Sequence, residues 1–244
     1  LIVDALNRMR PELQQFVDDP DIDGQVCIFH TNDWQGERQK GAHWSGDLPS
    51  VEANTTLEKV KSELENSGWN LSASNTKILM LTHKLLATQQ GYSNLAAVFK
   101  YNESFTKKEN HHIAYFVDQL EPACDSFTAR RYGAMFEALG GNLPHLRSHS
   151  DKSSWNEAMT HLIAICESGT IGQVIDYLHT QRRLRLPDVV VRLERELQDF
   201  KKTESAEMPR MLEELEKLRD VAYSEVKALR RYLVGHSPFE TKHG

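Results

Sequence analysis

The chain has 244 residues, of which 39% are hydrophobic and 26% charged, and its formal net charge is −6. This composition excludes a collagen-like or wholly disordered chain, and no apolar run approaches the roughly 20 residues that a membrane-spanning helix needs. The negative charge confines any nucleic-acid contact to a local surface, because general polyanion binders are usually basic. Three scattered cysteines, Cys27, Cys124 and Cys166, give no disulfide framework and favour a reducing compartment, so we expect a cytoplasmic protein.

The first part of the chain mixes helical and strand-like patterns. Apolar residues at helical spacing predict a helix over residues 1 to 18, with Pro11 as a candidate kink. The run 26–29 predicts a short buried strand, and the glycine-containing stretch 31–50 predicts a loop. Charge spacing then predicts an exposed helix over 51–66.

The strongest strand signal is the apolar run 78–81, which polar residues bound on both sides. It predicts a fully buried strand of a parallel sheet, followed by a helix over 83–90 that Gly91 closes. Thr82 and His83 come directly after the strand, where open α/β sheets usually bind ligands, so both are candidate DNA contacts. A cap on the following helix is the structural alternative for Thr82, and the two roles are compatible.

After about Tyr101 the pattern becomes helical. Ser154 with Glu157 and Thr170 with Gln173 match the capping-box spacing. Helices are predicted over 109–120, 125–139, 154–167, 171–181, 187–202 and 208–233.

The final ten residues leave the helical pattern, and their Pro-Phe-x-Thr run predicts an extended segment that adds a strand to the first part. We therefore predict a mainly α chain with a small α/β part. Its segments are an α/β part at 1–101, an all-helical domain at 102–234 and a return segment at 235–244.

Motifs for catalysis are missing from this sequence. It contains no phosphate loop, dinucleotide fingerprint or nucleophile elbow, so we predict no catalytic residue within it. The eleven histidines lack the closely spaced ligand pairs of a zinc site, and no metal site is expected. His111 and His112 are interpreted as a solvated pair at the start of a helix.

The densest basic cluster contains Arg182, Arg183 and Arg185. Arginines neutralise phosphates, so these three are candidate DNA contacts. The structural alternative is a helix C-terminus, where positive charge is favoured by the helix dipole.

Three stretches resemble the second motor domain of UvrD/Rep-like superfamily 1 DNA helicases. Residues 77–92 resemble a strand of that domain and the segment after it. Residues 1–10 resemble the helix after the family's Asn-x-Arg-Ser motif, which typically carries an asparagine like Asn7. In the last stretch, Thr241 and His243 match the first two fixed positions of motif V, Thr-x-His-x-x-Lys-Gly-x-Glu-Phe.

The resemblance implies a partial RecA-like parallel-sheet motor lobe, called 2A, interrupted just before motif V by an all-helical insertion, called 2B. The parent enzyme would use Mg-ATP to move 3'-to-5' along single-stranded DNA. Thr241 and His243 would contact the single strand, and the helical domain would lie near duplex DNA or a protein partner. The family's ATP-binding elements lie outside these residues, so we expect this chain to be a fragment that binds no cofactor and hydrolyses no ATP by itself.

Two other interpretations stay open. The chain could be a helical protein–protein interaction module on an α/β base, without catalysis. It could also be a stand-alone enzyme with an unrecognised site. Neither interpretation places the protein in a membrane.

Overall fold

The computed structural model describes residues 2–9, 11–12, 14, 16, 26–41, 44–49, 53–72, 74–76, 78–80, 83–140, 148–181, 183–202, 207–235 and 239–241. The chain divides into two compact units, Leu1–Ser67 and Gly68–Gly244. It is mainly helical, as the sequence predicts. The expected boundary near residue 101 lies within the second unit and stays a prediction.

The first unit contains α1 (Ile2–Met9), β1 (Arg38–Gly41), β2 (Trp44–Pro49) and α2 (Ala53–Asn66). The prediction of α2 is confirmed, and α1 ends before Pro11. The predicted loop over 31–50 is wrong, because β1 and β2 pair antiparallel with Gly41 opposite Trp44. Gly41 ends β1 and Gly46 lies within β2, so glycines in a polar stretch do not exclude strands.

The predicted buried strand at 26–29 is also wrong. These residues have irregular backbone, and the Ile28 side chain is 83% exposed. An apolar run forms a strand only where a partner strand accepts its hydrogen bonds. The described residues provide no such partner for this run.

The second unit is a bundle of helices with one short pair of strands. A π-helical turn, Phe116–Leu120, joins α6 directly to α7. The elements are β3 (Ile78–Met80), α3 (His83–Gln90), α4 (Ser93–Val98), α5 (Glu103–Thr106), α6 (His111–Tyr115), α7 (Glu121–Thr128), α8 (Tyr132–Ala138), α9 (His149–Ser168), α10 (Ile171–Thr180), α11 (Asp188–Lys201), α12 (Arg210–Asp220), α13 (Ser224–Leu233) and β4 (Phe239–Thr241).

Capping residues explain where two of these helices begin. Thr170 and Gln173 form the predicted capping box of α10. The box predicted at Ser154 is wrong, because α9 begins a turn earlier with a box formed by Ser148 and Asp151. The Ser154 hydroxyl instead donates to the carbonyl of Ser150 within the helix.

The single helix predicted over 208–233 is broken into α12 and α13. Val221 is extended, and its carbonyl accepts the amide hydrogen of Ile171 at 2.9 Å. The amide of Tyr223 donates to the carbonyl of Gly169, also at 2.9 Å. Apolar spacing continues through the break, so the sequence pattern alone hides this small antiparallel bridge.

The helix predicted over 125–139 is also interrupted, and α7 and α8 take its place. Arg130 separates them with a φ of 58°. This left-handed conformation cannot continue a right-handed helix.

Most helices of the second unit share one apolar core, in which α6, α7, α9, α10 and α13 are the main contributors. A smaller cluster, formed by Leu193, Leu197, Leu212 and Leu215, joins α11 to α12. Fully buried members of the main core include Tyr92, Leu95, Phe105, Ile113, Phe116, Leu120, Met159, Leu162 and Tyr223.

The return strand predicted at the end of the chain is confirmed by the pairing of β4 with β3. The two strands run parallel, with Ile78 opposite Phe239 and Met80 opposite Thr241. The prediction that this strand is fully buried is wrong, since Leu79 is 72% exposed. The described residues form no larger sheet around this pair.

A buried glutamate joins α13 to the start of α4. Glu225, in the first turn of α13, accepts hydrogen bonds from the Leu95 amide at 2.9 Å and from Asn94 Nδ2 at 2.7 Å. The residue before α4, Tyr92, provides no side-chain cap, so Glu225 acts as a cap from a distant part of the chain. Both α13 and α4 contact α3, which itself contacts β3 and β4.

Gly172 allows α10 to approach α12 closely. A Cβ at this position would lie 2.9 Å from the Arg219 carbonyl oxygen, so we expect Gly172→Ala to lower the free energy of unfolding by about 1–3 kcal/mol. Gly133 occupies the same second position in α8 with open space around it. Gly133→Ala should therefore raise the stability by about 0.5–1 kcal/mol. Urea unfolding checks both, and stabilisation by Gly172→Ala would contradict the packing.

Candidate nucleic-acid interface

The pairing of β3 with β4 brings two predicted DNA contacts to one edge. Thr241 is the last residue of β4 and lies opposite Met80, the last residue of β3. His83 begins α3 shortly after β3, and α3 contacts β4. His83 and Thr241 therefore lie at the carboxyl edge of the strand pair. Thr82 and His243, the other two residues predicted for this edge, lie outside the described residues.

This edge suits contact with phosphate. The α3 sequence, His83–Gln90, contains no acidic residue that would repel an anion. The first turn of α3 lies at this edge. Its backbone amides have no carbonyl partner within the helix, because no earlier turn precedes them. Histidine, threonine hydroxyl and backbone amide groups are common donors to phosphate oxygens.

Two buried leucines interrupt the predicted basic cluster. Leu184 and Leu186 are buried, and they alternate with the exposed Arg183 and Arg185. Arg183 Nη2 donates to Asp151 Oδ1 at 3.2 Å, so this arginine already binds a carboxylate. Arg185 projects to solvent, and Arg182 lies outside the described residues.

An aromatic residue between two cations is a surface feature that sequence reasoning missed. The Tyr101 ring is 51% exposed, with the Lys100 ammonium 5.4 Å and the Arg210 guanidinium 5.1 Å from its centroid. The charge of Lys100, together with Arg210, lowers the pKa of Tyr101. Glu214 offsets part of this positive charge, because its carboxylate lies 3.6 Å from Arg210.

The interpretation of His112 as solvated is wrong, although α6 does begin at His111. His112 is 1% exposed, and its Nε2 lies 3.0 Å from Glu194 Oε1. The other carboxylate oxygen of Glu194 accepts from Arg219, which also binds Asp176 at 2.7 Å. This network joins α6, α10, α11 and α12, and its members are too far apart in sequence for any local motif to reveal it.

A second buried cluster surrounds Glu121. Burial raises the pKa of this carboxyl group, while Lys227 and the neighbouring Tyr223 oppose the shift. Contact with Cys166 and burial raise the pKa of the Cys124 thiol, so Cys124 stays protonated at neutral pH. Burial also raises the pKa of Tyr223. Raised pKa values disfavour the thiolate and phenolate forms of Cys124 and Tyr223, which suits a packing role better than nucleophilic chemistry.

No group of three or more histidine, cysteine, aspartate or glutamate side chains within the described ranges could hold a metal ion. The same ranges include no helix with the length and apolar character needed to cross a membrane.

When compared with protein-family models, with curated proteins and with solved structures, the chain matches none of them. Functional conclusions therefore depend on the residues and their arrangement.

The raised pKa of Glu121 predicts a pH-dependent stability. The folded state holds this proton more tightly than the unfolded state, so the contribution of Glu121 to stability falls as pH rises above its ordinary value of 4.5. Glu121→Gln removes the ionisable group, and the variant should gain thermal stability over the wild type between about pH 4 and about pH 7. Glu137→Gln, at an exposed position, is the control for loss of one carboxyl charge. A constant difference across this pH range would contradict the burial effect.

Proposed function

We propose that the chain forms the 2A/2B portion of an ATP-dependent 3'-to-5' DNA helicase of the UvrD/Rep type, in which it contributes contacts to single-stranded DNA. The observation that carries this proposal is the return of the chain to β3 after the helical block. A motor lobe interrupted by a helical insertion requires such a return, and β4 pairs parallel with β3. A small helical interaction module does not require the chain to return to an earlier strand.

The register of the strands supports the DNA-contacting role. Thr241, the first fixed residue of the motif V resemblance, ends β4 at the same edge as His83. Open α/β sheets bind their ligands at the carboxyl ends of parallel strands. In the proposed RecA-like lobe, His83 and Thr241 hold phosphate oxygens of one DNA strand, together with Thr82 and His243.

The helical block serves as the 2B-like domain. Its apolar core also includes Tyr92 and Leu95 from the preceding segment, and the bonds of Glu225 attach α13 to α4. Arg185 is the exposed cation of the basic cluster that projects to solvent, whereas Asp151 holds Arg183. Arg185 is therefore the better candidate for contact with duplex DNA.

ATP hydrolysis belongs to the proposed parent enzyme rather than to this chain. Phosphoryl transfer needs a phosphate-binding loop, a magnesium-holding carboxylate and a cation at the γ-phosphate around one Mg-ATP. We expect the purified chain to show no ATP hydrolysis above background, with or without single-stranded DNA, in a phosphate-release assay. A DNA-stimulated rate lost on Thr241→Ala would contradict this division of roles.

Binding of single-stranded DNA tests the proposed edge. The chain should bind a fluorescein-labelled oligothymidylate of about 20 nucleotides at low salt, and its affinity should fall as salt rises. His83→Ala should weaken binding roughly three- to tenfold, because one donor to a charged phosphate is lost. Fluorescence anisotropy measures both effects.

His111→Ala is the matched control, since His111 also begins a helix and is exposed. It should bind DNA as the wild type does. Absence of salt-sensitive binding by the wild-type chain would contradict the proposal and favour the protein-interaction alternative, as would equal affinities of the two histidine variants.

A further inference from the structure

A pocket of about 500 Å³ opens between the α7–α8 pair and the start of α9. Its volume lies within the range of roughly 300–1,000 Å³ that small-molecule sites occupy. None of its lining residues belongs to β3, α3 or β4, so it is a different site from the edge described above.

One wall of the pocket is aromatic. Phe136 and Trp155 meet edge to face, with ring centroids 4.9 Å apart. Tyr132 also lines the pocket, is 49% exposed and packs edge to face on Phe127. Phe136 and Trp155 are buried, so Tyr132 is the ring of the three whose exposed surface can accept a flat ligand by stacking.

Polar and positively charged side chains of α9 also line the pocket. His149, Lys152, Ser153 and Asn156 line the pocket at spacings of three and four, which place them on one face of α9. Within the described part of the chain, the Lys152 ammonium has no carboxylate partner. The pocket's described lining includes no acidic residue.

The two acidic residues nearest this face in sequence are already bonded. Asp151 accepts hydrogen bonds from Ser148 and Arg183. Glu157 accepts the Ser153 hydroxyl at 3.0 Å. The start of α9 adds the positive end of a helix dipole to the charge of Lys152.

A buried donor on the pocket wall points to a bound acceptor. Trp155 is 7% exposed, and its indole Nε1 has no hydrogen-bond partner among the described residues. Buried donors are nearly always bonded in folded proteins, so an unpaired donor on a residue that lines the pocket is consistent with an acceptor supplied by a ligand.

We infer that this pocket binds a nucleotide, with the base stacked in the aromatic wall and the phosphate held by Lys152 and His149. The shared chemistry is a flat polar ring joined to an anion, and the source is either a free nucleotide or one residue of a DNA strand. Binding of a free nucleotide does not depend on the proposed helicase function. Binding of a nucleotide within a DNA strand rests on the proposed helicase function.

The indole N–H resonance of Trp155 in a ¹H–¹⁵N correlation spectrum reports on the pocket directly, and Trp155→Phe assigns it. Titration with thymidine monophosphate should shift this resonance to saturation. Thymidine alone and inorganic phosphate alone should each need a concentration at least about tenfold higher than thymidine monophosphate to shift the resonance to the same extent. Each of them lacks one half of the ligand. Oligothymidylate is the fourth titrant, and a shift with this strand alone identifies the ligand as a strand residue.

Lys152→Ala and Tyr132→Ala should each weaken binding by about tenfold. Both side chains are exposed, so the fold should tolerate their loss, and Lys202→Ala, at the exposed residue directly after α11, is the matched control. The inference is overturned if neither thymidine monophosphate nor oligothymidylate shifts the resonance, if thymidine binds as tightly as its phosphate, or if Lys152→Ala binds as the wild type does.

The two proposals fail separately. Loss of the His83 effect on DNA binding with retained, Lys152-dependent nucleotide binding removes only the helicase proposal. Loss of Lys152-dependent nucleotide binding, with the His83 effect on DNA binding retained, removes only the pocket proposal.

Discussion

The parallel pairing of β3 with β4 is the constraint on which the candidate DNA-binding edge depends. Parallel strands cannot be joined by a tight turn, and here the connection is the whole helical block. A two-stranded pair alone is marginal in water, so the neighbouring helices must stabilise it. α3 contacts both strands, and α13 is fixed by the bonds of Glu225 to Asn94 and Leu95 just before the chain enters β4. The edge that presents His83 and Thr241 therefore exists only if the helical block is folded.

Charged groups in this unit have two distinct roles. The network of His112, Glu194 and Arg219 is buried and bonded throughout, so it specifies how four helices meet. Such networks restrict packing more than they add stability. Arg185 and Lys152 are exposed, so they can meet an anionic ligand. This separation explains how a chain with a formal net charge of −6 can still offer local sites for phosphate.

Local patterns predict the local elements well. The apolar run 78–81 followed by a helical segment and Gly91 predicts β3 and α3, because each signal is contained in a few adjacent residues. The left-handed φ of 81° at Gly91 is the conformation that ends a helix. The return strand is also predictable, since the last ten residues break the helical pattern.

Features set by distant residues are not predictable in this way. The exposure of Leu79, the bridge that separates α12 from α13 and the burial of His112 all depend on which elements meet in space. The same holds for the candidate sites. Sequence reasoning identified the residues of the strand edge from their positions after a strand and in a motif. The pocket beside α9 has no motif, because its lining residues come from three helices, α7, α8 and α9.

The most direct test of the account is measurement of nuclear Overhauser effects between β3 and β4 in the isotopically labelled chain. The pairing predicts inter-strand contacts between backbone protons of Ile78 and Phe239, of Leu79 and Glu240 and of Met80 and Thr241, in the pattern of parallel strands. An antiparallel pattern, or no contact between these segments, would contradict the shared edge and with it the motor-lobe interpretation.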